Sequence, residues 1–320
     1  MKENRAFCTI VTADYLPLAA TLHSSLSRFS DTPFFTLTTT EGEATPEVDD
    51  WGTRRISHRQ LLEYGKAPDL YRKYHAESMD AYRWSMKPVF LNYLMTELGY
   101  QKVIYLDSDL FFYNDPSFLF DALEHDRVIL TPHWRSSDPH TDAYNFLLNY
   151  TEGLYNGGFV GVNPDAVEVM DWWADACLYI CEKDPARGQF VDQTHLNLLP
   201  VFFEGVKPLR HRGCNVAAWN RVECPRRRGA DGAVYAGDGF PVVFIHFTRS
   251  MIEGILSGED ALLSDHLGEY EEALLRSGVK HNPVEQERRE LAAAAPPPAR
   301  RPGFRQSVRR MLAKGLASFR

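Results

Sequence analysis

Apolar positions along the chain follow two rhythms. The runs "AFCTIVT" (6–12), "FFTLTT" (34–39), "KVIYLD" (102–107) and "VVFIHF" (242–247) are short, nearly continuous and rich in β-branched and aromatic residues, which predicts buried strands. "LPLAATLHSSLSRF" (16–29), "SMKPVFLNYLMTELGY" (85–100) and "VEVMDWWADACLYICE" (167–182) carry apolar residues at helical spacing, and Pro17 suits a first turn. Strand, helix and strand alternate at the N-terminus and again before residue 107. That predicts an α/β fold whose mostly parallel central sheet is flanked by helices. "LYNGGFVGVN" (154–163) reads as a Gly-marked strand region, in which the glycines allow close backbone approach or mark a bulge. No internal repeat or long low-complexity segment precedes about residue 291.

Polar exceptions cluster where these strands end. In "VIYLDSDLFF" (103–112) an apolar run meets Asp107, Ser108 and Asp109 and then turns apolar again. Two carboxylates at the end of a buried strand repel each other and lose water, so they call for a cation, most simply a divalent metal. "VTADYL" (11–16) follows another strand, and "VVFIH" ends in His246. In open parallel sheets ligands bind beyond the carboxyl ends of strands, so these ends should face one crevice.

Composition narrows the class. The chain has 320 residues, 44% hydrophobic and 24% charged, as in ordinary soluble proteins, and enough length to bury a substantial core. No apolar run approaches the roughly 18 residues that span a bilayer. "MKENRAFCTIVTADYL" has no secretory signal pattern, so cytoplasmic residence is the expectation. Five scattered cysteines fit reduced thiols rather than a disulfide framework, with Cys177 and Cys181 as core residues. A net charge of −8 argues against a general nucleic-acid binder. The charge is uneven, because seven basic residues and no acid follow Pro298. Residues 1–280 are therefore read as one catalytic domain, and residues 281–320 as a Pro/Ala linker and a basic amphipathic tail. Over 303–320 that tail has the pattern of a helix lying on an anionic membrane, at the inner face if the chain is cytoplasmic, or of a solvated disordered end.

An Asp-x-Asp by itself is common. With "YNGGFVGVN", "FVDQTHLNLLP", "NVAAWN" and "FIHF" following in order, the chain resembles the retaining nucleotide-sugar glycosyltransferases of the GT-A fold, family 8 and its bacterial relatives, from about residue 6 to about residue 250. The resemblance implies a Rossmann-like nucleotide-binding half, an acceptor-binding half, and transfer of a hexose from a nucleotide sugar, a UDP-sugar first among donors, to a glycan or lipid-linked acceptor. Asp107, Asp109 and His246 would hold the metal, Mn²⁺ or Mg²⁺, on the donor diphosphate; the imidazole favours Mn²⁺. Thr12 and Tyr15 match the nucleotide-binding loop, Lys87 a phosphate- or aspartate-pairing cation, and Ser108 lies within the metal motif. Asp192 and Gln193 match the pair around the reacting face of the donor sugar, and Asn156 would bond sugar hydroxyls. Asn215, Trp219 and Asn220 suggest a sugar wall. Plainer roles stand beside these: a core histidine for His246, a packed Tyr15, a solvated Lys87, and a helix cap in "VDQ".

One departure is clear. The family's lysine after the metal histidine is missing from "HFTRSMIEG", where Arg249 is the replacement cation, and an arginine fork is not a lysine point charge. Two other functions compete. A sugar nucleotidyltransferase would need a Gly-rich loop after the first strand, and "TADYLPLAATL" contains no glycine. A non-catalytic nucleotide-sugar-binding module would share the site without turnover.

Overall fold

The computed structural model describes residues 4–40 and 49–294. Its centre is a sheet of seven strands: β1 (Arg5–Val11), β2 (Phe34–Thr38), β3 (Arg54–Ser57), β4 (Lys102–Leu106), β6 (Val128–Pro132), β7 (Tyr155–Val162) and β8 (Val206–Pro208). β5 (Leu110–Phe112) and β9 (Phe244–His246) form a separate antiparallel pair. Across the sheet the order is β8-β6-β7-β4-β1-β2-β3. β3, β2, β1 and β4 are parallel neighbours, β6 and β8 are parallel, and β7 runs against both β4 and β6. The mostly parallel α/β sheet expected from the alternation is present. The "VVFIHF" strand forms over Phe244–His246 and pairs with β5 instead of joining the sheet.

The unbroken apolar runs have a simple cause: both faces of the sheet are covered. In β1, Ala6, Cys8 and Ile10 enter one core while Phe7 and Val11 enter the other; in β4, Val103 and Tyr105 alternate in the same way with Ile104 and Leu106. Helix α1 (Leu16–Leu26) covers the second face; α2 (Lys87–Thr96) and α3 (Val167–Tyr179) cover the first. The helix expected over 85–100 starts only at Lys87, after a separate helix Met79–Ser85. Pro88 lacks an N–H and crowds the carbonyl one turn earlier, so it ends one helix and opens the next. α3 stops at Tyr179, where Ile180 turns extended, so Cys181 lies just past the helix although it is still in the core.

A third core joins β9 to α4 (Arg249–Leu256), α5 (Ser264–Arg276) and α6 (Pro283–Ala294). α6 buries Val284 and Glu287, so packed structure continues past residue 280. The amphipathic pattern at 303–320 lies outside the described residues. All five cysteines are free and buried. Among the described residues no helix is long and apolar enough to cross a membrane.

Candidate active site

Three strand ends meet at one edge of the sheet. Asp107 follows β4, and its N–H donates to the Gly158 carbonyl of β7 at 2.8 Å. Because β7 runs backwards, its first residues, Asn156, Gly157 and Gly158, lie beside the last residues of β4. The chain turns tightly after Asp107, with the Leu110 N–H donating to the Asp107 carbonyl at 3.1 Å, and enters β5. The β5–β9 register pairs Leu110 with His246, which brings the histidine to Asp109.

Two charged clusters result. In the first, Lys87 at the start of α2 is buried, donates to the Gly157 carbonyl at 2.9 Å and lies 3.0 Å from Asp192 and 3.6 Å from Asp107. Burial by itself would lower the lysine pKa, but Asp107 and Asp192 outweigh it and raise the value above normal. Burial raises the Asp192 pKa, opposed by Lys87. The Tyr105 hydroxyl donates to Asp107 Oδ1 at 2.7 Å. Trp173 of α3 donates to the Asp192 carbonyl at 2.9 Å. Val191, just before Asp192, has φ 50°, a region that β-branched residues avoid, so this backbone is strained.

In the second cluster, His246 Nε2 lies 3.0 Å from Asp109 Oδ1, and its Nδ1 lies 3.1 Å from Asn215 Oδ1. Burial disfavours the imidazolium, yet Asp109 raises the His246 pKa; burial likewise disfavours the Asp109 carboxylate, and His246 lowers its pKa. A proton held on Nδ1 by Asn215 leaves the Nε2 lone pair for a cation, as in many metal-binding histidines.

The residues present fit a divalent metal. One donor atom each from Asp107, Asp109 and His246 can lie within 4.8 Å of one another. Two carboxylates and an imidazole suit Mn²⁺ better than all-oxygen Mg²⁺. Gly158 keeps the space open: a Cβ there would come within 2.9 Å of both Asp107 Oδ2 and His246 Cε1, and within 2.7 Å of Asn156 Oδ1.

A cavity of about 540 Å³ opens beside these groups. Lys87, Asp107, Asn156, Asp192, Gln193, His246 and Arg249 all line it. Gln193 is tightly held: Oε1 accepts from the Gly157 N–H at 2.9 Å and from Asn156 Nδ2 at 3.3 Å, and Nε2 donates to the Glu152 carbonyl at 2.7 Å. Arg249, 70% exposed, pairs with Glu287 at 3.0 Å and with Glu290, both on α6. Thr12 and Tyr15 stand past the end of β1 and are not among the residues lining this cavity; Thr12 donates to Asp14 at 2.5 Å and Tyr15 is about half exposed. Ser108 is buried between the two aspartates. Trp219 lines the cavity, with its ring edge-on to His133 and His246. Asn220 does not: its side chain bonds Asn215 O and Ala217 N and braces the loop, a structural role in place of the expected sugar wall.

Sequence reasoning missed His133 and Arg135, which line the same cavity. His133 is buried and donates through Nδ1 to the Gly153 carbonyl at 2.9 Å, and burial pushes its pKa down. Arg135 pairs with Glu152. The signal was available in "TPHWR", polar residues directly after a strand.

Two structures of solved proteins align over nearly all of this chain. The galactosyltransferase LgtC, in complex with donor and acceptor sugar analogs, aligns over 88% of this chain and 99% of its own, with TM-score 0.51 and 14% identity. The fold is GT-A. The bifunctional glycosyltransferase WbbM in its apo form aligns over 90% of this chain and 52% of its own, with TM-score 0.50 and 15% identity. In sequence, the GT-A chain is 28% identical over 261 residues to YfnF of Bacillus subtilis, an uncharacterized protein, covering 78% of this chain and 83% of that one. It is 31% identical over 186 residues to the uncharacterized YfnD of the same organism, covering 57% of each. No family model matches.

Proposed function

We propose that this chain is a metal-dependent glycosyltransferase that moves a hexose from a nucleoside diphosphate sugar, a UDP-sugar first among candidates, to a hydroxyl of a glycan or lipid-linked acceptor with retention. One observation carries the reading: an Asp-Asp-His donor set kept open by Gly158, at the rim of a cavity lined by Lys87, Asp192, Gln193 and Asn156. A Mn²⁺ or Mg²⁺ held by Asp107, Asp109 and His246 would neutralise charge growing on the leaving diphosphate.

The remaining roles belong to the protein's own groups. Lys87 fixes the directions of the Asp107 and Asp192 carboxylates. Asp192 has a carboxylate to grip donor hydroxyls, and Asn156 holds Gln193 in place while facing the same cavity. Gln193, an amide held at both ends, is a poor nucleophile, which favours attack from the face of the departing phosphate, whose oxygen takes the acceptor's proton. Arg249 supplies cationic charge on the far wall, and Thr12 and Tyr15 receive the nucleoside beyond β1.

The test is donor hydrolysis with Mn²⁺ across UDP-, GDP- and ADP-sugars. Slow metal-dependent release of one nucleotide supports the proposal. Metal-dependent nucleotide binding with no hydrolysis and no transfer to any acceptor would make the chain a binding module instead. We place the protein in the cytoplasm on the strength of its five buried free thiols. Its basic tail would contact the membrane's inner face; unchanged liposome flotation after deletion of residues 296–320 would refute that contact.

A further inference from the structure

The chain leaves the sheet at Pro132 of β6 and returns at Tyr155 of β7, and these two residues pair across the ladder. The first residues of this excursion divide the space above the sheet. His133 lines the cavity described above, Trp134 lines a second cavity of about 650 Å³, and Arg135 lines both. An irregular backbone holds the division in place. The β6–β7 register shifts between Leu130 and Pro132, and Trp134 has φ 52°, where bulky residues are strained. Consecutive side chains are thereby sent into separate chambers.

The second chamber has the chemistry of a sugar site. Trp134, Tyr150 and Tyr155 line it with aromatic surface, and Tyr150 is 68% exposed. Such rings have apolar faces on which the C–H face of a pyranose can stack. Asn149 donates through Nδ2 to the Ser136 and Phe146 carbonyls, both at 3.1 Å, and among the described residues its Oδ1 has no bond. Asn197 accepts from the Leu154 N–H through Oδ1 at 2.8 Å, which leaves its Nδ2 to donate. These groups match sugar hydroxyls.

The charge of the lining is one-sided. Among the described residues, no aspartate or glutamate lines the chamber. The carboxylates that reach its lining residues are engaged: Glu152 with Arg135, and Glu223 with the Ser137 N–H at 2.7 Å and hydroxyl at 2.6 Å. Arg210 lines the chamber and, among the described residues, has no ion pair.

We propose that this second chamber seats the acceptor glycan, and that the unit it holds carries an anionic group, carboxylate or phosphate, read by Arg210. The inference rests on the glycosyltransferase reading for the word acceptor, but the binding it describes is measured without donor.

The test is calorimetric titration of the full chain with three matched disaccharides: cellobiose, its uronic acid form and its 6′-phosphate. At least one acidic form should bind about tenfold or more tightly than cellobiose, as a charge-assisted arginine contact requires. R210A should bring the acidic forms down to the level of cellobiose, and Y150A should weaken all three. Which acidic form binds decides between carboxylate and phosphate. Equal binding of the three, binding of none, or binding unaffected by R210A and Y150A would overturn the proposal. Both replaced side chains are surface groups, so unchanged melting temperatures would show that any loss is local. Absence of donor hydrolysis would count against the glycosyltransferase reading and leave this binding result standing.

Discussion

The two walls of the first cavity hold their charges in different ways. On the sheet side, Lys87 is buried among Gly157 O, Asp192 and Asp107, all positioned by strand register or by α2 and α3. On the helix side, Arg249 is largely exposed and is held by Glu287 and Glu290 of α6. A buried charge cannot lose its partners without leaving others stranded, whereas an exposed arginine exchanges carboxylates for water or phosphate at small cost. The sheet wall therefore sets geometry, and the helix wall tunes affinity.

This contrast can be broken in four places. The largest effect is expected from Asp109→Ala on the sheet wall. It removes one of three candidate metal donors, so Mn²⁺-dependent nucleotide binding, followed by calorimetry, should weaken by at least about a hundredfold. Wild-type-like binding would contradict the assignment. Next comes Lys87→Met, which leaves Asp107 and Asp192 facing each other without their buried cation. Denaturant unfolding should show a loss of about 3–5 kcal/mol. A smaller loss would mean that these carboxylates find water or protons more easily than their burial implies.

Gly158→Ala should cost less in stability, about 1–3 kcal/mol, because the added methyl overpacks a single point. Its specific signature is metal affinity, which should fall more than the melting temperature suggests, since the new carbon crowds Asp107 and His246. The smallest effect is expected on the helix wall. Arg249→Ala should change stability by less than about 1 kcal/mol and raise the KM for donor with little change in kcat. A collapse in kcat would make the two walls equivalent and remove the distinction.

Much of the sheet wall was legible in the sequence. Continuous apolar runs at 6–12 and 102–107 reported strands covered on both faces, and Asp107, Asp109 and His246 stood out as polar residues at strand ends. The direction of β7 was not legible, because a strand buried on both faces has the same composition whichever way it runs. That direction is what places Asn156 to Gly158 beside Asp107. The break at Met86 was hidden because Pro88 is compatible with a helix start as well as with a helical pattern read through it. The pairing of Arg249 with Glu287 joins residues 38 positions apart on different helices, and no local periodicity encodes it. His133 and Arg135 followed a strand as the aspartates did, but as isolated polar residues without a repeated spacing.

The closure of the β6–β7 excursion by the Pro132–Tyr155 pair has a consequence for how such a protein can change. The middle of the segment between those two residues can be lengthened, shortened or replaced while β6 and β7 keep their register, because the ladder is anchored on the sheet side of the join. Most of the first cavity's lining comes from other segments, while the ends of the excursion supply His133, Arg135 and Glu152, whose carbonyl holds Gln193. The middle of the excursion is therefore a replaceable cassette: exchanging residues 136–151 for those of another chain should reshape the second chamber and leave the lining of the first cavity in place.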